Sequence, residues 1–189
     1  MQNLSKITVL NQQSLLSQNS ISLFSKVSIF LIGVILLALS SKVSAPFYGV
    51  PLTLQTCVVY FLAASFGIIG FYSTLTYLLL GLAGLPIFAY GGGFQYVLNP
   101  TFGYLIGMVI SSFVITYFSK NLFNKSLILL VSIIFLGAFI TFILGLSYLS
   151  FFVGGFGKAL NLGLYPFIYS ELLKISLAVA ISYTLIKNS

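Results

Sequence analysis

The chain has 189 residues, 59% hydrophobic and only 5% charged, with a mean hydropathy of +1.14; a soluble domain needs about 25% charged residues to keep its surface wet, so a water-exposed fold is excluded. The net charge of +7 comes from scattered lysines without a single arginine, unlike the clustered, Arg-containing face that reads nucleic acid. With no His, one carboxylate and a lone Cys57 in an apolar run, the usual metal sites, an intramolecular disulfide and the Ser-His-Asp or Cys-His constellations are all out of reach, so neither an enzyme nor a cofactor is expected.

Residues 1–20 are polar, rich in Gln, Asn and Ser, with Lys6 their one charge. They lack the basic, apolar and small-residue layout of a cleaved signal peptide and read as a retained tail, with leucines and isoleucines that permit a short surface helix. Residues 21–189 form one membrane domain. Length and punctuation divide it into six apolar stretches, at about 22–41, 52–69, 71–89, 101–119, 126–148 and 166–186. Lys42 and Pro46 close the first stretch, and Pro51 opens the second. Almost nothing separates the second from the third, which predicts a tight helical hairpin. Gly81, Gly84, Gly103 and Gly107 read as helix-packing positions. A loop rich in Gly, Asn and Pro follows at 90–100, and Gly91 to Gly93 let it fold over what lies beneath, since glycine takes positive φ freely. The Lys120-to-Lys125 turn and a second glycine-rich loop around 154–158 separate the remaining stretches. The expected architecture is an all-α integral membrane protein, a compact six-helix bundle in the lipid bilayer.

An even number of spans puts both termini on one side. Lys6, Lys26, Lys120, Lys125 and Lys187 then share that side, and Lys42 and Lys158 lie on the other. Five lysines against two favour cytoplasmic termini by the positive-inside rule. The loops at 42–51, 90–100 and 149–165 then lie outside, together with the start of the sixth stretch.

That sixth stretch holds the feature with most chemical content. Glu171 is the sole acidic residue of the chain, and Lys174 follows it three positions later inside an apolar run. On a helix these two share a face. An ionisable group at the centre of a spanning helix costs roughly 2.5–3.5 kcal/mol on insertion scales and so faces a bundle interior or a polar cavity. Two readings fit the pair: a structural ion pair that fixes helix register, or the wall of a ligand site. Irregular backbone at membrane depth needs protein or water around it, and three loops converge near this end, so the sequence favours an outward-facing, loop-roofed pocket.

Several segments then resemble one family. Val50-Pro51-Leu52-Thr53-Leu54-Gln55-Thr56 is similar to a V-P-x-T-L-Q-T signature. Tyr77 through Ala89 resembles Y-L-L-L-G-x-x-G-L-P-V-F-A. Pro100-Thr101-Phe102-Gly103-Tyr104-Leu105-Ile106-Gly107 resembles P-T-G-G-Y-L-I-G, and Pro166 through Lys174 resembles P-F-x-x-G-D-x-x-K. In this order and spacing they resemble the BioY family, the biotin-specific S components of energy-coupling-factor vitamin transporters, over roughly residues 35–180. Departures are visible: Glu171 stands for the family Asp, Ser170 for the Gly before it, and Phe102 for a Gly.

The resemblance implies a biotin-capture subunit in the bacterial cytoplasmic membrane, working with a transmembrane coupling subunit and separate ATPase subunits. No GxxxxGK[ST] loop is present, so the chain itself lacks that means of hydrolysing ATP. Biotin offers ureido N–H donors, a ureido acceptor and a carboxylate. Glu171 suits the ureido end, Lys174 suits charge pairing, and Gln55 can donate and accept. Tyr104, Tyr90 and Phe94 are candidate ring walls, or else interface anchors. Asn99 is a candidate donor, or else a helix-start cap before Pro100. S components often carry an A-x-x-x-A pattern on the first helix for close docking of the coupling subunit. Here that register reads Gly33, Leu37, Ser41, Ala45, with Leu37 interrupting it. Other readings of the whole chain are an intramembrane scaffold, and a facilitator or S component for another vitamin.

Overall fold

A computed structural model describes residues 22–45, 50–119 and 126–188. The polar tail with Lys6, the break at Pro46 and the Lys120-to-Lys125 turn lie outside the described residues. In chain order the helices are α1 (Leu23–Lys42), α2 (Gln55–Phe66), α3 (Ile68–Leu82), α4 (Phe102–Ser119), α5 (Leu127–Val153), the short α6 (Phe156–Gly163) and α7 (Ile168–Asn188). Two-residue strands β1 (Ser44–Ala45) and β2 (Leu52–Thr53) pair antiparallel between α1 and α2, with Ser44 opposite Thr53. Short 3-10 segments at Phe94–Leu98 and Tyr165–Phe167 precede α4 and α7.

The bundle differs from a soluble domain in its apolar outer surface, while its interior sets small polar residues among apolar ones. Its exposed residues are large and apolar, such as Phe24, Ile32, Ile128 and Leu173. Its fully enclosed ones include Ser41, Ser73, Ser111, Ser112, Thr141 and Ser182. Lipid contributes no hydrophobic drive between helices, so close packing and interhelical hydrogen bonds hold them. Ser73 Oγ donates to the Phe30 carbonyl of α1, Ser65 and Ser182 join α2 to α7 at 3.0 Å, and Thr116 Oγ1 on α4 donates to the Gly67 carbonyl at 3.0 Å. Glycines set the closest approaches. A Cβ at Gly81 would overlap the Phe88 ring, one at Gly103 the Tyr148 side chain, and one at Gly107 would meet the Thr141 backbone at 2.8 Å. Gly84 does not pack in this way: it has φ +114° in the turn after α3, with open space beside it.

Among the described residues, four segments are long and apolar enough to cross a membrane: α1, α4, α5, and α6 with α7 taken together. The stretches at 52–69 and 71–89 instead yield helices of 12 and 15 residues. At about 1.5 Å per residue neither reaches across a hydrocarbon core of about 30 Å. Their missing length is taken up by strand β2 and by the irregular run after Leu82. Gly67 alone links α2 to α3, at φ +55°, and Gly70 lies so close to the Leu62 carbonyl that a Cβ there would overlap it. Gln55 and Tyr77 therefore meet at the far end of this hairpin. The predicted loop at 149–165 is largely helical, because α5 continues to Val153 and α6 follows a turn at Gly154 and Gly155.

The expected docking face on α1 is corrected. Gly33, Leu37 and Ser41 are buried against the bundle. A Cβ on Gly33 would meet Ser73 Oγ at 2.7 Å, Leu37 is fully enclosed, and Ser41 Oγ donates to the Ile87 carbonyl at 2.6 Å. Ala45 has left the helix for β1. Small residues permit close approach to any helix, and here the neighbour lies in the same chain. The lipid-facing side of α1 carries Val27, Leu31, Ile35 and Leu39 instead.

Gly70→Val should break the α2–α3 hairpin. Overpacking of this kind costs about 1–3 kcal/mol, and thermal unfolding of the purified protein in detergent should show a lowered midpoint, whereas Gly157→Ala, which meets nothing within 4 Å, should leave it unchanged.

Candidate functional site

The ends of α1, α3 and α5 and the starts of α2, α4 and α7 gather on one side of the bundle, together with β1, β2, α6 and the 83–101 segment. Pro166 sits in the 3-10 turn that opens α7, where its missing N–H costs nothing. Glu171 then falls in the first turn of α7, where the helix dipole favours an anion.

Glu171 Oε2 lies 2.6 Å from Lys174 Nζ, and both side chains are only 7% exposed. The neighbouring α2 supplies two further groups one turn apart. Thr56 Oγ1 donates to Glu171 Oε2 at 3.0 Å and accepts from Lys174 Nζ at 3.1 Å, while the Tyr60 hydroxyl donates to Glu171 Oε1 at 2.8 Å. The cation, the carboxylate and two hydroxyls make one neutral unit clamped between α2 and α7.

Glu171, Lys174 and Thr56 of this unit form one wall of a cavity with about 540 Å³ of empty space, its open mouth included. Thr53, Gln55, Thr56 and Thr101 add polar groups. Tyr96, Tyr104, Met108, Phe142 and Phe167 give the rest an apolar, largely aromatic lining. Such a chamber accepts a compact apolar body with a few hydrogen-bonding groups at one end.

Of the residues expected from sequence, Glu171, Lys174, Gln55 and Tyr104 are brought together here. Gln55 is held on both sides: its Oε1 accepts from Thr53 Oγ1 at 3.2 Å, and its Nε2 donates to the Tyr77 hydroxyl at 2.8 Å. One amide N–H and one lone pair remain for a ligand. The Tyr104 hydroxyl donates to the Gly163 carbonyl at 3.0 Å and so ties α4 to the end of α6.

Asn99, Tyr90 and Phe94 do not line the cavity. The Asn99 carboxamide oxygen accepts from Thr101 N at 3.0 Å and Thr101 Oγ1 at 2.8 Å, which is the work of a turn and cap residue. Tyr90 and Phe94 are turned outward, 54% and 77% exposed. Tyr96 takes the aromatic place in their loop, packed on Phe88 with ring centroids 4.6 Å apart, and Phe88 meets Tyr77 edge-on. The glycine loop reaches this arrangement with φ +117° at Gly91 and +98° at Gly93. Thr56 and Tyr60 were the residues missed. Their signal was present in the sequence, as two hydroxyl groups at i and i+4 on a mostly apolar helix.

A helical bundle with polar residues inside, lipid-facing residues outside and a small-molecule chamber at one end defines a multi-pass membrane protein built to hold a solute. A model of the BioY family matches residues 12–189, and the chain belongs to that family. It is 35% identical over 154 residues to the biotin transporter BioY of Thermotoga maritima, covering 80% of this chain and 90% of that one. It is 34% identical over 166 residues to the probable biotin transporter BioY of Pyrococcus horikoshii, covering 87% and 98%. Its fold matches the crystal structure of an S-component for biotin from an ECF-type ABC transporter at TM-score 0.77 and 25% identity, over 89% of this chain and 95% of that one.

Breaking a buried pair by removing one partner typically costs about 3–5 kcal/mol, whereas replacing both by apolar residues is often neutral. Lys174→Met should therefore lower the unfolding midpoint in detergent substantially, and Glu171→Leu with Lys174→Met should restore most of it.

Proposed function

We propose that this chain is the biotin-capture subunit of an ATP-driven uptake system, with the coupling membrane subunit and the ATPases on separate chains. The observation that carries this reading is the neutral Glu171–Lys174–Thr56–Tyr60 unit facing an aromatic chamber. The biotin names of its relatives supply the ligand. Lys174 is already neutralised by Glu171, so the unit presents itself to a ligand as one acceptor and one ammonium N–H. That pairing suits a ureido N–H and C=O better than a carboxylate. Both residues then read the ureido head, rather than Lys174 pairing with the acid, and the apolar ring body lies against Tyr96, Tyr104 and Phe142.

The chain sits in the cytoplasmic membrane with both termini inside, a placement that rests on the five-to-two lysine asymmetry. The cavity then opens outward, toward the side from which a vitamin is collected. A single cysteine at Phe94, in a Cys57→Ala background, should react with an impermeant thiol reagent in intact cells. Reaction only after the membrane is opened would reverse the orientation.

The binding test is equilibrium dialysis of the purified protein with labelled biotin. Glu171→Gln and Lys174→Ala should each weaken binding roughly thirtyfold to several-thousandfold, the range expected when one member of a buried, hydrogen-bonded charge pair is removed. The doubly apolar Glu171→Leu, Lys174→Met protein should be folded and unable to bind. If it binds biotin like the parent, the pair is a register-fixing device and other residues read the ligand; a parent that binds no biotin would favour the scaffold reading.

A further inference from the structure

Tyr60 stands behind the cavity and is still joined to it. It is fully enclosed, at 0% exposure, and is absent from the residues that line the chamber. Its hydroxyl donates to Glu171 Oε1 at 2.8 Å. The other contacts of the carboxylate converge on its second oxygen, since Thr56 Oγ1 and Lys174 Nζ both bind Oε2.

A carboxylate has about four lone-pair positions. Two are occupied on Oε2 and one on Oε1, which leaves one for a molecule in the chamber. The last torsion of a glutamate is broad and weakly restrained. Contacts to Oε2 alone fix one end of the group and leave it free to swing about that point. A second fixed point on Oε1 stops the swing, and Tyr60 is the side chain that supplies it. The need is greater for Glu171 than for the shorter Asp of the family pattern, because its arm has one more torsion to hold.

We propose that Tyr60 is a positioning residue of the ligand site, setting the rotation of the Glu171 carboxylate so that the free position on Oε1 faces the ligand's N–H donor. This rests on the biotin reading of the same chamber. Tyr60 touches no ligand itself and acts through Glu171.

The test compares biotin affinity, by equilibrium dialysis of the full chain in detergent, for the parent, Tyr60→Phe, Glu171→Asp and the double variant. Loss of a hydrogen bond to a charged group should weaken binding roughly tenfold to hundredfold in Tyr60→Phe. In the Glu171→Asp background the shortened arm has already left the hydroxyl's reach, so the same change should cost less than about threefold. A role confined to stability would lower affinity equally in both backgrounds. A second measurement uses biotin methylated at the ureido nitrogens. Without the N–H donor it should bind the parent and Tyr60→Phe alike, and this comparison holds even where Glu171→Asp binds poorly. Equal losses in both backgrounds, or parent-like biotin binding by Tyr60→Phe, overturn the proposal. A parent that fails to bind biotin overturns the functional reading on which it rests.

Discussion

A carboxylate and an ammonium enclosed within a membrane protein have no water to solvate them, and the rest of this structure answers to that constraint. Isolated, either charge would carry a penalty of several kcal/mol. Together they cancel, and the remaining hydrogen-bonding capacity must be met by protein or by ligand. Thr56 and Tyr60 meet most of it from α2. These four side chains therefore hold α2 against α7, and the two helices cannot shift against each other without exposing a charge.

That requirement explains the proportions of the bundle. Thr56 and Tyr60 must lie at the depth of Glu171, so α2 begins with Gln55 just above them and is only 12 residues long. The space left above the short α2–α3 hairpin is filled by β1, β2 and the 83–101 segment, and the cavity forms beneath them. Irregular backbone at this depth is tolerated because it is buried in protein and lines a chamber. Tyr77 joins the layers: its hydroxyl accepts from Gln55 and donates to the Ile87 carbonyl at 3.1 Å, and Ser41 donates to the same carbonyl from α1.

Small residues show why a pattern read along one helix is ambiguous. Gly33 and Ser41 carry the signature of a close-packing face, and they do pack closely, but against Ser73, Leu62 and the Ile87 backbone of the same chain. Polar residues behave in a parallel way. Asn99 had the chemistry of a ligand donor and spends it on Thr101, because an Asn just before a helix start satisfies free backbone N–H groups more readily than it reaches into a chamber.

Composition and patterning alone determined the membrane setting, the helical class and the importance of Glu171 and Lys174, because lipid punishes unpaired charge so heavily that a surviving one must be accounted for. Motif order was enough to suggest the family, and Gln55 and Tyr104 came with it. The sequence did not determine which aromatic of the 90–100 loop turns inward, since Tyr90, Phe94 and Tyr96 are chemically alike and only the backbone at Gly91 and Gly93 separates them. Nor did it reveal that Thr56 and Tyr60 clasp a carboxylate more than 100 residues away along the chain, or that the first helix turns its small residues inward. Those are choices between equivalent local options, and they are made by which helices come into contact, a property that no single helix carries in its own sequence.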